Sequence, residues 1–197
     1  MDDLLEALSR DTAEVAERAR ESLVTVLQQG VGAGSGVLWA PGLVVTNAHV
    51  ARRSRSVVTL AGGQEATARR RGRDFQHDLA VLEIDPALGS PAAIGDSGEL
   101  RPGEWVYAVG NPWGVPGALT AGVVIANGGG AGTELLELDL HLRPGHSGGA
   151  VLNARGEVVG INTMMNGPDV GLAIPSAVVR RYLAQAGLGK AAFRRAA

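Results

Sequence analysis

The sequence predicts an all-β protein of sandwich or barrel type, opened and closed by a helix. Three observations predict it. Short runs rich in Val, Leu, Ile and Thr recur at turn-bounded intervals between residues 36 and 174. Glycine supplies 29 of the 197 residues, and glycines and prolines punctuate these runs as a turn-rich β architecture requires. A Pro/Gly-rich bridge, 89–103, divides the runs into two sets of similar size.

The opening helix spans about 2–20. Leu4, Leu5, Leu8, Val15 and Ala19 recur there at near-helical spacing among charges, with no Gly or Pro to interrupt them. Strands of the first set are expected at 36–40, 43–48, 56–61, 65–71 and 79–84. Those of the second set are expected at 104–109, 119–126, 134–141, 149–153, 158–163 and 170–174. The closing helix fills 177–186, with Ser176 as its N-cap and Gly187 as its stop.

Composition narrows the function classes. The length suffices for one or two compact units with a sizeable core. A net charge of −2 implies no bulk attraction to nucleic acid or membrane. The absence of cysteine excludes a disulfide scaffold and a thiol nucleophile without fixing the compartment. The acidic start Met1-Asp2-Asp3 lacks the basic region and apolar run of an export signal, and no apolar run is long enough to cross a bilayer. As it stands, the chain reads as cytoplasmic. The arginine clusters at 52–55 and 69–73 sit at loops or strand edges without interleaved aromatics, so a solvated face is the expectation, not nucleic acid. The four histidines show no metal-ligand spacing, and no metal or organic cofactor is expected.

The stretch Pro144-Gly145-His146-Ser147-Gly148-Gly149 carries the chemistry. A serine hydroxyl is a poor nucleophile until a neighbouring base takes its proton and a third group orients that base. His49, in Thr46-Asn47-Ala48-His49-Val50, is the candidate base. Asp78, directly before the apolar run 79–84, is the candidate orienting group, with its neighbour His77 expected to face solvent. The order His…Asp…Ser is one of those in which such triads occur. His49 and Asp78 belong to the first set of strands and Ser147 to the second, so the site lies in the crevice where two halves pack.

Collinear segments from about 22 to 186 resemble the protease domain of the HtrA/Deg family of trypsin-like serine proteases. They are Gly32-Ala33-Gly34-Ser35-Gly36, Thr46-Asn47-Ala48-His49, Asp78-Leu79-Ala80-Val81-Leu82, Gly95-Asp96-Ser97, Gly110-Asn111-Pro112-Trp113-Gly114, Ser147-Gly148-Gly149, Gly160-Ile161-Asn162-Thr163 and Gly171-Leu172-Ala173-Ile174-Pro175. The resemblance implies two packed six-stranded antiparallel β-barrels with N-terminal and C-terminal helices. It divides the chain into an N-terminal helix (1–21), a first barrel (about 22–95), a second barrel (about 101–175), a C-terminal helix (176–187) and a tail (188–197).

By the same resemblance, His49, Asp78 and Ser147 are catalytic, and the backbone N–H groups of Gly145 and Ser147 form the oxyanion hole. His146 supports that turn where relatives carry Asn, and is expected either to make it pH-sensitive or to point to solvent. Leu142, Asn162, Thr163, Met164 and Met165 bind substrate. Their apolar walls suit a small or medium aliphatic residue before the scissile bond, unless His141 faces the pocket and accepts an acidic one. The implied substrates are unfolded or flexible polypeptide segments, in bacterial protein quality control, with a homotrimer assembled through residues 2–20. Many HtrA relatives continue into a PDZ domain where this chain stops. They are also often exported or anchored, which would make the protein periplasmic or membrane-anchored if a leader precedes this start. The competing reading is a catalytically silent peptide-binding or assembly module.

Overall fold

Twelve strands pair into two closed antiparallel barrels in the computed structural model, which describes residues 2–28, 30, 32–128 and 134–188. The first barrel holds β1 (Leu23–Gln28), β2 (Gly32–Ala40), β3 (Leu43–Asn47), β4 (Arg55–Thr59), β5 (Glu65–Asp74) and β6 (Leu79–Glu83), in the order β1-β2-β3-β6-β5-β4. The second holds β7 (Trp105–Gly110), β8 (Ala118–Asn127), β9 (Leu136–Asp139), β10 (Ala150–Asn153), β11 (Val158–Asn166) and β12 (Val170–Pro175), in the order β10-β11-β12-β9-β8-β7. The expected fold class is found.

Sequence reading missed β1. Helix α1 (Asp2–Ser22) runs directly into it with no Gly or Pro between, so the change of period carries no punctuation. The strand is indispensable: it pairs with β2 on one side and β4 on the other, and without it both would be open edges.

Each barrel has its own apolar filling. Val24, Val26, Leu38, Val44 and Leu82 fill the first, and Val106, Val124, Leu136, Leu138 and Val159 the second. A third cluster joins them. Val37, Val45, Leu79 and Val81 of the first barrel pack against Val109, Leu152, Ile161 and Ile174 of the second. Each such side chain contributes about 1.5–3 kcal/mol on burial, so the two halves form one body and the crevice between them keeps its shape.

Val15 and Ala19 extend that cluster from α1, and Thr12 Oγ1 lies 3.3 Å from the Tyr107 hydroxyl. The second half of α1 therefore folds back onto its own barrels. Leu4 (72% exposed), Leu5 (62%) and Leu8 (44%) in its first half remain uncovered.

Helix α2 (Ser176–Gln185) packs Val178, Val179 and Leu183 onto the same cluster. Its start corrects an expectation. Pro175 occupies the cap position, and Ser176 does not cap the helix. The buried Ser176 hydroxyl instead donates to Gly95 O (2.8 Å) and accepts from Ser97 N (3.0 Å), tying the inter-barrel bridge to the helix. The helix stops as expected: Gly187 has φ +69°, Leu188 N–H donates to Leu183 O and Gly187 N–H to Ala184 O. Beyond Leu188, the tail lies outside the described residues. Among those described, no helix is long and apolar enough to cross a membrane.

Candidate active site

Asp78 sits at the entrance to β6 with φ +53°, a left-handed backbone costing a non-glycine residue about 1–3 kcal/mol. The surroundings hold it there. Ala48 N–H (2.9 Å) and Asn47 Nδ2 (3.2 Å) donate to its carbonyl. Its carboxylate accepts from His49 N–H (3.0 Å, Oδ1), from His49 Nδ1 (2.7 Å, Oδ2) and from Thr163 Oγ1 (2.8 Å, Oδ2). Burial alone pushes this carboxyl up, but the hydrogen bonds from His49 and Thr163 outweigh it and hold Asp78 below the ordinary carboxylate value. An ionised carboxylate only accepts, so neutral His49 carries its proton on Nδ1 and keeps the Nε2 lone pair free.

Ser147 stands on a turn that only this sequence pattern permits. His146 N–H closes it onto Arg143 O (2.9 Å), with Pro144 second and Gly145 third at φ +105°, the signature of a type II turn. A Cβ on Gly145 would lie 2.6 Å from Pro112 Cα and 2.7 Å from Asn111 O. On Gly148 it would lie 2.1 Å from Ser35 O. Ser35 braces the turn from the first barrel: its N–H donates to Ser147 O (2.8 Å) and its hydroxyl to Gly145 O (2.7 Å). The N–H groups of Gly145 and Ser147 have no hydrogen-bond partner among the described residues. The Ser147 hydroxyl donates to Thr163 O at 3.0 Å, and no hydrogen bond joins it to His49 in this arrangement.

His146 does not point to solvent: it is 1% exposed. Its Nδ1 lies 3.2 Å from both the N and the O of Arg143, and its Nε2 is buried without a partner. Burial, with a smaller contribution from the Arg143 charge, holds its basicity below the ordinary histidine value. The unfolded chain then takes up a proton more readily than the folded one. Stability is complete above the unfolded value of about 6.5 and falls as the pH drops from there through the folded value, by at most about 1.4 kcal/mol per pH unit. Urea midpoints at pH 7.5 and pH 5 check this: His146→Asn is expected to lose less stability than the native chain. Equal losses would remove His146 as the cause.

A cleft of about 680 Å³ opens between the barrels, lined by His49, Phe75, Asp78, Leu142, Ser147, Thr163, Met164 and Met165, with Arg52 and Arg143 at its rim. Leu142 is buried and its N–H meets Met165 Sδ at 3.2 Å, while Met164 is 51% exposed. His141 is exposed and lines no part of the cleft.

Asn162 corrects a second expectation. It is fully buried, its Nδ2 donates to Val109 O and Ala150 O, and its backbone pairs with Gly148 and Gly149. It props the Ser147 turn from behind and does not line the cleft. Thr163 lines it while also gripping Asp78, a contact that nothing in the local sequence announces. His77 meets solvent only in part. Its side chain is 22% exposed, with Nδ1 2.6 Å from Asp74 Oδ2 and Nε2 3.2 Å from Glu134 Oε2, and Glu134 pairs with Arg181 of α2.

The arginine clusters have a use that sequence reading missed. Arg70 Nη1 donates to the carbonyls of Ala51 (3.0 Å), Arg52 (2.6 Å) and Arg53 (3.0 Å). Arg73 Nη2 donates to Ala48 O (2.9 Å), and its guanidinium lies 4.1 Å from the Phe75 ring centre. Residues three apart on a regular strand face opposite ways, but a register shift between Arg70 and Gly72 brings both onto the turn that carries His49. Among the described residues, no group of three His, Asp or Glu side chains could hold a metal.

Residues 34–161 match the family model described as trypsin-like peptidase domain. The periplasmic pH-dependent serine endoprotease DegQ of Escherichia coli is 38% identical over 169 residues, covering 80% of this chain and 37% of DegQ. The serine protease HTRA1A of Danio rerio is 36% identical over 181 residues, covering 86% and 38%. The chain thus spans less than two fifths of these curated relatives. Among solved structures, a serine endoprotease from Yersinia pestis superposes with a TM-score of 0.81 at 28% identity, covering 91% of this chain and 67% of that one. The HtrA-type protease AlgW, solved with a decapeptide, superposes at 0.79 and 27%, covering 88% and 66%.

Proposed function

The chain belongs to the trypsin-like peptidase family, and from that premise we propose that it is an HtrA-type serine endopeptidase acting on unfolded or flexible polypeptide segments. The observation that carries the reading is the His49–Asp78 pair at 2.7 Å, in the same cleft as a serine whose turn leaves two N–H groups unused.

In this mechanism Ser147 Oγ turns from Thr163 O toward His49 Nε2 and attacks the peptide carbonyl as the imidazole takes its proton. The N–H groups of Gly145 and Ser147 receive the developing oxyanion. Asp78 keeps the proton on Nδ1 and stabilises the imidazolium. His49 then protonates the departing amine, leaving an acyl-enzyme, and activates the water that releases the acid. Labelling with a fluorophosphonate tests this: Ser147 is expected to gain the adduct, and an unlabelled, folded protein would refute the reading.

Substrate lies extended beside β11. β10 pairs with β11 only through Ile161, so Thr163 to Asn166 offer an unpaired edge to an incoming strand. Leu142 and Met165 give the residue before the scissile bond an apolar pocket with no carboxylate, so cuts after Val, Ala or Leu are expected. Mass spectrometry of casein fragments checks this, and a majority of cuts after Lys or Arg would overturn it.

The naming of DegQ as periplasmic favours an exported setting over the cytoplasm expected from the first residues. The uncovered Leu4, Leu5 and Leu8 suit assembly into a homotrimer. The solution mass is expected to fall to that of a monomer when the chain starts near Glu21, and a monomer in both forms would end this part.

A further inference from the structure

The sequence carries a net charge of −2, yet the rim of the cleft is cationic. Arg52 stands on the bank formed by the His49 turn and Arg143 on the bank formed by the Ser147 turn. Both side chains are exposed, and neither has a carboxylate partner among the described residues, whereas Arg71, Arg101, Arg155 and Arg181 are all paired. Arg52 is nonetheless held in place. Arg52 Nε donates to His49 O at 2.9 Å, which directs the stem and leaves both terminal nitrogens unused. The Arg143 guanidinium lies 6.0 Å from the Trp113 ring centre. Arg70 and Arg73 add positive charge behind the His49 bank while their donors are occupied by carbonyls.

Nearby acids offset this field only in part: Asp78 lines the cleft and, like Asp74, stays ionised, but Arg52, Arg70, Arg73 and Arg143 outnumber the two. Asp78 is bound by His49 and Thr163, Asp74 by His77, and Glu134 by His77 and Arg181 on the far side of Met164. Two exposed guanidiniums without carboxylate partners among the described residues thus line the cleft that holds the serine. A polypeptide seated in that cleft lies within reach of both.

Building on the proteolytic reading, we infer that the cleft selects acidic polypeptide segments, with Arg52 and Arg143 pairing to Asp or Glu side chains that flank the aliphatic residue at the cut. Arginine suits this task because its planar fork takes a carboxylate through two parallel N–H bonds. The basic rim also steers acidic chains toward the site, an effect that salt weakens as the Debye length shrinks from about 10 Å at 0.1 M to about 3 Å at 1 M.

Three internally quenched peptides test the inference. They share a Val-centred core and carry Glu, Gln or Lys on both flanks. The native chain is expected to cleave the Glu peptide with a kcat/KM about tenfold above that of the Gln peptide at low salt, as two exposed ion pairs of modest strength would give. The Lys peptide is expected to be the poorest, and the differences should shrink at 1 M salt. Arg52→Gln with Arg143→Gln is expected to level the Glu and Gln rates, taken as a ratio so that any general loss of activity cancels. Equal rates in the native chain, or a preference that survives in the double variant, would overturn the inference. Binding of the uncleaved peptides to Ser147→Ala, read by fluorescence anisotropy, decides the charge question even if no peptide is cut. Tighter binding of the Glu peptide supports the inference and equal binding overturns it. Displacement of the Glu peptide by a single-stranded oligonucleotide at far lower concentration than by unlabelled Glu peptide would also overturn it, by assigning the rim to nucleic acid.

Discussion

Ser147→Ala is expected to lower peptide hydrolysis by about a million-fold while leaving the fold intact. The size follows from the chemistry: without the hydroxyl there is no acyl-enzyme, and only the oxyanion donors and substrate binding remain. The fold should survive because the hydroxyl makes one hydrogen bond, to Thr163 O, and the turn is held by backbone contacts of Ser35, Gly148 and Gly149. Stability should change by about 1 kcal/mol at most. Casein degradation and thermal melting by circular dichroism, measured on the same preparation, check both halves. Comparable degradation by the variant would remove Ser147 from its role.

Asp78→Asn is expected to cost about ten-thousand-fold in turnover. Both carboxylate oxygens are occupied by donors: Oδ1 by His49 N–H, Oδ2 by His49 Nδ1 and Thr163 Oγ1. An amide can present only one oxygen. If its NH₂ faced the His49 backbone N–H, two donors would collide, so the NH₂ turns toward the ring. Nδ1 must then accept, the imidazole proton moves to Nε2, and the lone pair that should take the serine proton is lost. The variant should still fold, because Asn tolerates the φ of +53° at this position better than most residues. A kcat/KM within tenfold of the native value, with an unchanged urea midpoint, would show that Asp78 does not set the tautomer.

The pattern of short runs and turn residues announced a β protein with a break in its middle, and all but one of the strands stand near their expected places. The exception, β1, was hidden because α1 passes into it through Ser22 without a turn residue. The candidate site was legible in part. Ser147, His49 and Asp78 are far apart in the chain, but each lies in a short segment whose composition is unusual: glycine-dense around Ser147, strand-ending around His49, strand-opening around Asp78.

The direction a side chain faces is where sequence and structure differ. The sequence leaves His146 open between the turn and solvent, and it is enclosed; His77, expected to face solvent, does so only in part. Asn162, which the family resemblance puts in the cleft, lies behind it. Arg70 and Arg73 read as a solvated face in the sequence and instead bind the carbonyls of the His49 turn.

The sequence by itself determined the class of fold, the two-part division and the residue types that a serine-based hydrolysis needs, because these follow from local periodicity and turn chemistry. Only the tertiary structure decided that Thr163 grips Asp78 across the barrel interface, that a bulge turns two arginines onto one turn, and that Arg52 and Arg143 line one cleft. Those contacts join residues from separate strands and opposite barrels, and their energies depend on burial and distance that no local stretch of sequence contains.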